Sequence, residues 1–542
     1  MKLVLLQPPI QDFYATDIRL QPLGLCSLKA ALRAKLPAVD VVVKDFHQGH
    51  GRRTVALPAA LANVAPFFAV PDRGPFSTFH HYYHFGATFA AIAADVAAEK
   101  PDLVGISCLF TPYYREALDC ARAVKERCGA PIIMGGSHVA AAPESVLADP
   151  AVDYIIRGEG ERPLVELLTA LAAGSDLASV PNLGFKRDGA MVFTELAPNY
   201  ELETLPPPDF SDLDPGRYRY EGKPLAFVAT SRGCPHDCAF CSVRATFGPR
   251  YRRRPTAHIL AELDQRHAQG FRVIDFEDDN LTADRSAFHE LLEGLAARFP
   301  PGSFQYLAMN GVSYHGLDGQ TLAAMRAVGF THLNLSLVSA NQSSLRRAAR
   351  PHDVVGFERV ATAAFGLGFR VVAYQIVGLP YETVADMVAT MALLARLPVL
   401  AGASVFYLTP GAGLARGREM SASEMIRARS TALAVQPGSC FKREDLYSLF
   451  IVARIVNFLK GIPTAGRQLD LAAALDIARS GHGRAALGAE ILARLLAEKK
   501  LYAAVRGGFE SLERFRPALL FEVLQQARSV GALDGGAISV GV

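Results

Sequence analysis

The stretch Cys234-Pro235-His236-Asp237-Cys238-Ala239-Phe240-Cys241 decides how the rest of the chain is read. It sets three thiols within eight residues, separated by three and then two residues. Thiolates are soft ligands that select zinc or iron–sulfur clusters, and spacing this tight lets one loop close around one centre. A structural zinc site usually takes four ligands and repeats a Cys-x2-4-Cys pair. No second pair follows, although His236 would complete a distorted zinc site. A four-iron cubane held by three thiolates instead leaves one iron open for chemistry. The other five cysteines, Cys26, Cys108, Cys120, Cys128 and Cys440, are scattered and suit ordinary buried positions.

Around this stretch lies a chain of 542 residues, half of them apolar, enough for two or three separate cores. Its formal charge is only +3, from 56 basic and 53 acidic residues, so global charge indicates no nucleic-acid or membrane partner. Eight cysteines in this length do not suggest a secreted disulfide scaffold, and a cluster site favours a reducing, cytoplasmic setting. The opening Met1-Lys2-Leu3-Val4-Leu5-Leu6 reads as a buried strand rather than a secretion signal. The apolar stretch 55–71 is broken by Pro58, Asn63 and Pro66, so no membrane span is expected.

Upstream of the thiols, short Val/Ile/Leu runs at 3–6, 39–44, 103–108, 131–134 and 152–156 alternate with helical patterns at 23–36, 88–99, 114–128 and from Arg162 onward. That alternation predicts a parallel sheet covered on both faces. Ligands of such sheets sit beyond the carboxyl ends of the strands. Here those ends carry Gln7-Pro8-Pro9, Asp45, Ser107-Cys108, Gly135-Gly136-Ser137-His138 and Arg157-Gly158-Glu159-Gly160-Glu161. Glycine lets backbone approach a large ligand closely, although each glycine alone also reads as a turn. The insertion 48–86 ends in Phe79-His80-His81-Tyr82-Tyr83-His84-Phe85-Gly86. Adjacent histidines point apart, so an aromatic loop packed at the domain junction is expected there in preference to a second metal site.

The proline-rich Leu205-Pro206-Pro207-Pro208-Asp209-Phe210 marks a boundary, and a second alternating unit follows. Its strands at 226–230, 272–276, 304–307, 332–337, 370–377 and 402–407 predict a partial (β/α) barrel of about six strands, open at their carboxyl ends. The run Arg250-Tyr251-Arg252-Arg253-Arg254 is either solvated or paired with carboxylates or phosphates. Beyond residue 415 only helical patterns are read, at 424–434, 445–458, 471–478, 484–499 and 517–529, and these suggest a helical cap over the barrel. The division is therefore 1–190, a linker 191–225, a barrel 226–415 and a helical region 416–542.

With its flanks, Thr230-Ser231-Arg232-Gly233 and Ser242, the thiol stretch resembles the Cys-x3-Cys-x2-Cys signature of the radical S-adenosylmethionine (SAM) superfamily. It is most similar to the subgroup that carries a cobalamin-binding domain in front, and the resemblance spans roughly residues 1–415. It implies an α/β fold: a flavodoxin-like cobalamin-binding domain, then a partial (β/α)6 radical SAM barrel and a C-terminal helical domain. It also implies that Cys234, Cys238 and Cys241 hold a [4Fe-4S] cluster whose open iron chelates SAM. Ser107, Gly135, Gly136, Gly158, Glu159 and Gly160 would line the corrinoid or its tail. Glu277 and Asp278, in a stretch like the family's Phe-x-Asp-Asp segment, would hold SAM amino or ribose groups. Gly378 and Glu382 resemble the family's Gly-x-Ile-x-Gly-x-x-x-Glu element near SAM adenine. The loop after the first strand lacks the cobalt-ligating Asp-x-His-x-x-Gly motif, and Asp45-Phe46-His47-Gln48-Gly49 resembles it only superficially, so a base-off corrinoid is implied.

The activity implied is methylation of an unactivated carbon in a small-molecule substrate or natural-product precursor. A one-electron reductant such as flavodoxin or ferredoxin would serve it. Radical cyclisation, rearrangement or oxidation, with or without cobalamin, and a noncatalytic corrinoid or metal-binding role remain alternatives. No catalytic acid or base is singled out by the sequence.

Overall fold

A computed structural model describes residues 1–14, 16 and 20–540. In the first domain the strands Lys2–Gln7, Asp40–Asp45, Leu103–Ser107, Ile132–Gly135 and Tyr154–Ile156 run parallel. Leu3 to Leu6 are at most 2% exposed, because the sheet is covered on both faces and every position of a central strand faces a helix. The helices Leu23–Lys35 and Glu161–Ala173 pack together, as do Phe89–Ala98 and Tyr114–Cys128. The first strand lies between Asp40–Asp45 and Leu103–Ser107, so the direction of winding reverses beside it. Open α/β sheets bind ligands beyond the strand ends at such a switch point. The sequence suggests a small hairpin at 185–190. The structure adds its two arms, Leu183–Arg187 and Ala190–Phe193, to this sheet as antiparallel edge strands, making seven in all.

The second domain is the expected partial barrel. Its six parallel strands are Lys223–Val228, Val273–Phe276, Gln305–Leu307, His332–Val338, Arg370–Val377 and Leu400–Val405. Between the third and fourth, the ladder thins to the isolated bridges Tyr306–Phe330 and Val312–Leu335. An open barrel leaves two edges with unpaired backbone groups, which need partners. Both edges receive an amide side chain. Gln21 of the first domain accepts from Phe227 N at 2.6 Å and donates to Leu225 O at 3.3 Å. At the other end Asn457 accepts from Ala401 N and donates to Ala401 O, both at 2.8 Å. The flanking domains thus close the barrel by imitating a neighbouring strand.

The C-terminal region differs from the all-helical pattern expected. Beside the helices Arg443–Lys460, Leu471–Ser480, Arg484–Glu498 and Pro517–Ala527 it holds two small sheets. One joins Gln468–Asp470, Ala537–Ser539 and Ser529–Gly531; the other is the hairpin Tyr502–Val505 with Gly508–Ser511. Strands of three or four residues show too little alternation for the sequence to reveal them. The region also packs on the barrel's flank, with Pro517–Ala527 against the outer helix Val384–Arg396. Buried Lys460 secures that helix end by donating to Ala395 O at 2.9 Å and to Leu397 O.

The insertion 48–86 is the aromatic junction loop that its composition suggests. Phe79 packs on Phe13, Phe68 and Phe450, the last from helix Arg443–Lys460. His80 and His84 bond to the carbonyls of Phe68 and Ala87.

Candidate active site

The cluster loop leaves the carboxyl end of the barrel's first strand, Lys223–Val228. Two acids at the end of the neighbouring strand Val273–Phe276 fix its root. Asp278 accepts from Thr230 N at 3.1 Å, from Thr230 Oγ1 at 2.7 Å and from Ser231 Oγ, while Asp279 accepts from Gly233 N at 3.0 Å. Gly233 is required where it stands: its φ is +81°, and a Cβ would lie 2.6 Å from Arg250 O. Beyond this root the chain turns with Cys241 N donating to Cys238 O at 2.9 Å.

Cys238 is buried, and Cys234 and Cys241 are half-buried. Arg350 Nη1 stands 3.7 Å from Cys238 Sγ and Asn280 Nδ2 3.8 Å from Cys234 Sγ. Burial raises the Cys238 thiol, against the pull of Arg350, and pushes Cys241 up to about 11. Thiols in such surroundings ionise against a bound cation, which is what iron supplies. Among the described residues no three His, Cys, Asp or Glu side chains converge as a single ion requires. Each thiolate of a cubane takes a different iron, so the three stand around the cluster and need not meet at one point. The donor set and the two hydrogen-bond donors aimed at sulfur therefore fit a cluster better than zinc.

Of the two acids expected to hold SAM, Asp278 has both oxygens engaged by the loop root and acts on the loop. Glu277 is half-buried and accepts from Asn310 Nδ2 at 2.7 Å. Glu382 is fully buried, and neither of its carboxylate oxygens makes a well-formed hydrogen bond. Burial lifts its pKa to about 8, with Ser339 the nearest group easing that rise. A buried carboxyl with Ser339 as its one weak internal donor is a place prepared for a donor from outside the chain. Gly378, four residues earlier, faces elsewhere: its φ is +91° and a Cβ would sit 2.8 Å from Leu446 Cδ2 of the C-terminal helix Arg443–Lys460.

Along the first domain's ligand edge the predicted residues separate. Ser107 is buried at the end of its strand. Gly136 makes a tight turn against Cys108 O, where a Cβ would sit 2.6 Å away; a Cβ on Gly160 would lie 3.0 Å from Leu28 Cδ2, and one on Gly158 3.3 Å from Thr246 O. Thr246 belongs to the short helix Val243–Phe247 just after the cluster loop, so the barrel itself covers this part of the edge. Gly135 alone of the four has room, its nearest neighbour being Ile156 O at 3.8 Å. Glu159 is engaged within the protein. It is buried and pairs with Arg232 at 2.7 Å and Arg252 at 2.9 Å, and the adjacent Glu161 pairs with Arg232 at 2.5 Å. Arg232 precedes Cys234 by two residues, so a buried ion-pair group couples the first domain directly to the cluster loop. The arginine run is thereby explained in part: Arg252 pairs with Glu159 and Arg254 with Glu262 at 2.6 Å. His47 is buried, with Nδ1 3.4 Å from Phe85 O.

One polar group was not legible in the sequence. Buried Arg429, from the C-terminal side of the barrel, donates to Gln11 O at 2.7 Å and to Pro112 O at 2.5 Å, and pairs with Asp12 at 3.3 Å. Asp12 also accepts from Tyr113 Oη at 2.6 Å and Thr431 Oγ1 at 3.0 Å. The loops after the first and third parallel strands, which flank the switch point, are thus tied to a segment more than 300 residues further along the chain. Arg429 and Asp12 lie in no motif, and nothing local in the sequence marks either. A separate cavity of about 480 Å³ opens between Gln48, Arg52, Leu225 and Phe227, and none of its lining residues belongs to the cluster loop.

Comparison with known proteins agrees with this geometry. Residues 78–168 match the B12 binding domain and residues 228–394 the radical SAM superfamily. The chain thus carries a B12-binding domain followed by a radical SAM domain. Among its relatives, an uncharacterized methyltransferase of Pyrococcus horikoshii is 27% identical over 58% of this chain and 68% of that protein. The anaerobic magnesium-protoporphyrin IX monomethyl ester cyclase of Cereibacter sphaeroides is 30% identical over 48% of this chain, which spans only 45% of the cyclase. In fold, the chain is similar to the radical SAM methyltransferase TsrM of Kitasatospora setae, solved with cobalamin and a [4Fe-4S] cluster. The TM-score is 0.58 at 19% identity, over 76% of each chain. No helix among the described residues is long and apolar enough to cross a membrane.

Proposed function

We propose that this chain is a cobalamin-dependent radical SAM methyltransferase acting on an unactivated carbon of a small molecule or natural-product precursor. The observation that carries the reading is the join between the two domains. Arg232, beside the first cluster thiol, is held by Glu159 and Glu161 at the ligand edge of the B12-binding domain. The two cofactor-binding ends therefore face each other across a shared boundary with fixed geometry.

When bound, the cluster and SAM supply one-electron cleavage chemistry and the corrinoid supplies a transferable methyl group, and the protein contributes position and environment. Cys234, Cys238 and Cys241 hold the cluster while Arg350 and Asn280 direct donors at its sulfur ligands. Glu277, steadied by Asn310, and the buried Glu382 would receive the polar groups of SAM. Gly135 leaves room for corrinoid at the edge that the barrel does not cover. Arg429 and Asp12 hold the loops at the switch point in one arrangement. The cluster would need one electron from a carrier such as flavodoxin or ferredoxin, which suits a reducing, cytoplasmic setting.

The decisive experiment is anaerobic purification with separate iron, sulfide and corrinoid quantification, followed by reduction in the presence of methyl-labelled SAM and a small-molecule extract of the source cells. Label in a carbon-methylated product is expected. Cluster without corrinoid removes methyl transfer and leaves the second reading, a radical cyclase or oxidative enzyme. The similarity to anaerobic ester cyclases favours that alternative.

A further inference from the structure

The surface behind the cluster loop carries exposed arginines. Ala239 lies between Cys238 and Cys241, and its backbone is held from both sides. Its N–H donates to Ala348 O at 2.9 Å, and its carbonyl accepts from Leu414 N at 2.7 Å. Beneath these contacts Phe240 packs with Leu345, Leu414 and Ala415 in one small apolar cluster. Each flanking segment carries arginines on its outer side: Arg346 and Arg347 at the end of helix Gln342–Arg347, and Arg416 just after the turn Gly413–Ala415. All three are exposed, and none has a carboxylate partner among the described residues. The exposed acid of the loop itself, Asp237, is already paired with Arg244 at 3.1 Å.

Exposed arginines elsewhere in this chain commonly sit beside an acid, as Arg122 does with Asp119 and Arg298 with Asp264. Three exposed guanidinium groups, on the two segments that bond to Ala239 between the second and third thiols, make a local positive field at the back of the cluster loop. Such a field speeds encounter with an oppositely charged protein by about 10- to 1,000-fold and loses its effect as salt rises. We propose that Arg346, Arg347 and Arg416 form the docking surface for a small acidic one-electron carrier protein that reduces the cluster through the Ala239 segment.

This inference rests on the radical SAM reading and adds the partner's place and charge to it. With a flavodoxin as carrier, the anionic flavin hydroquinone loses one electron and becomes the neutral semiquinone. The cluster gains that electron and passes from its oxidised to its one-electron-reduced form. No proton moves and no covalent bond changes.

The test uses the anaerobically purified full chain and R346E/R347E/R416E, with an acidic flavodoxin as probe. Two readouts are taken at low and high salt: binding of oxidised flavodoxin, and the rate of cluster bleaching by flavodoxin hydroquinone. The wild-type chain is expected to bind and to be reduced more slowly as salt rises. In the triple variant the low-salt rate should fall at least tenfold and its salt dependence largely vanish, as rim charges act mainly on association. Reduction of both proteins by dithionite should be equal, which shows that the variant is folded and its cluster intact. R346K/R347K/R416K should restore most of the rate. Equal flavodoxin rates in wild type and variant, or a wild-type rate indifferent to salt, would overturn the docking surface. A preparation without iron and sulfide would instead defeat the underlying radical SAM reading. Binding of oxidised flavodoxin still tests the surface in that case, and equal binding by wild type and variant would reject it.

Discussion

The cluster loop and the glycine-rich edge of the first domain carry the same kind of sequence signal, a short run of unusual residues directly after a strand. The structure treats them differently. At the cluster loop Arg350 and Asn280 are directed at two of the three thiols. At the glycine edge Gly136, Gly158 and Gly160 each fit against a neighbour within the protein, and only Gly135 has open space. Chelating spacing is set by the covalent length of the loop, so the ligands and their purpose are read together. A glycine reports that something approaches closely and says nothing of what it is.

The comparison is broken most sharply at the thiols. Cys238→Ala should remove essentially all cluster iron and sulfide, leaving colourless protein with its secondary structure intact by circular dichroism. Retention of a full complement of iron would return the loop to a structural role. The next largest effect is expected at the join. Arg232→Met would leave Glu159 and Glu161 buried without their shared cation, and breaking such a pair costs about 3–5 kcal/mol. Urea unfolding should register that loss, and a change under about 1 kcal/mol would mean that the group is not held as described.

On the barrel side, Glu382 gives the comparison a pH axis. Its folded pKa of about 8 lies above the unfolded carboxyl value near 4.3, so the folded state holds the proton more tightly. The associated stability is present below about pH 4.3 and is lost as pH rises through about 8. Without SAM, wild-type protein should therefore lose stability between pH 5 and pH 8 relative to Glu382→Gln, by an amount on the order of a few kcal/mol. Bound SAM should reduce that difference by supplying a donor. Parallel stability curves for the two proteins across that range would show that Glu382 is already satisfied within the fold.

How far sequence reaches is explained by the range of the interactions. Strand and helix periodicities delivered the parallel sheet at 3–6 through 152–156 and the six barrel strands, because burial on both faces leaves a local pattern. The thiols were legible for the same reason, being close in the chain. Gln21 and Asn457, which finish the barrel's two edges, are ordinary polar residues whose task exists only once a distant backbone arrives. Arg429 and Asp12 meet across more than 400 residues, and Arg232 meets Glu159 across 73. Long-range polar pairs leave no periodic trace, so the site's supports stay hidden while its ligands show.

The two smallest effects separate the glycines from one another. Gly158→Ala places a side chain at φ +75°, facing Thr246 O, and should lower stability by about 1–2 kcal/mol whether or not corrinoid is present. Gly135→Ala meets only Ile156 O at 3.8 Å, and its φ is not in the left-handed region. Its effect on unfolding should stay within about 0.5 kcal/mol, the range of substitutions that disturb no special feature. Whatever Gly135→Ala loses must then come from a group that the chain does not itself provide. A corrinoid affinity weakened severalfold, with unchanged unfolding, would place the cofactor against Gly135. Unchanged affinity would move the corrinoid away from this strand end and leave all four glycines with structural tasks alone.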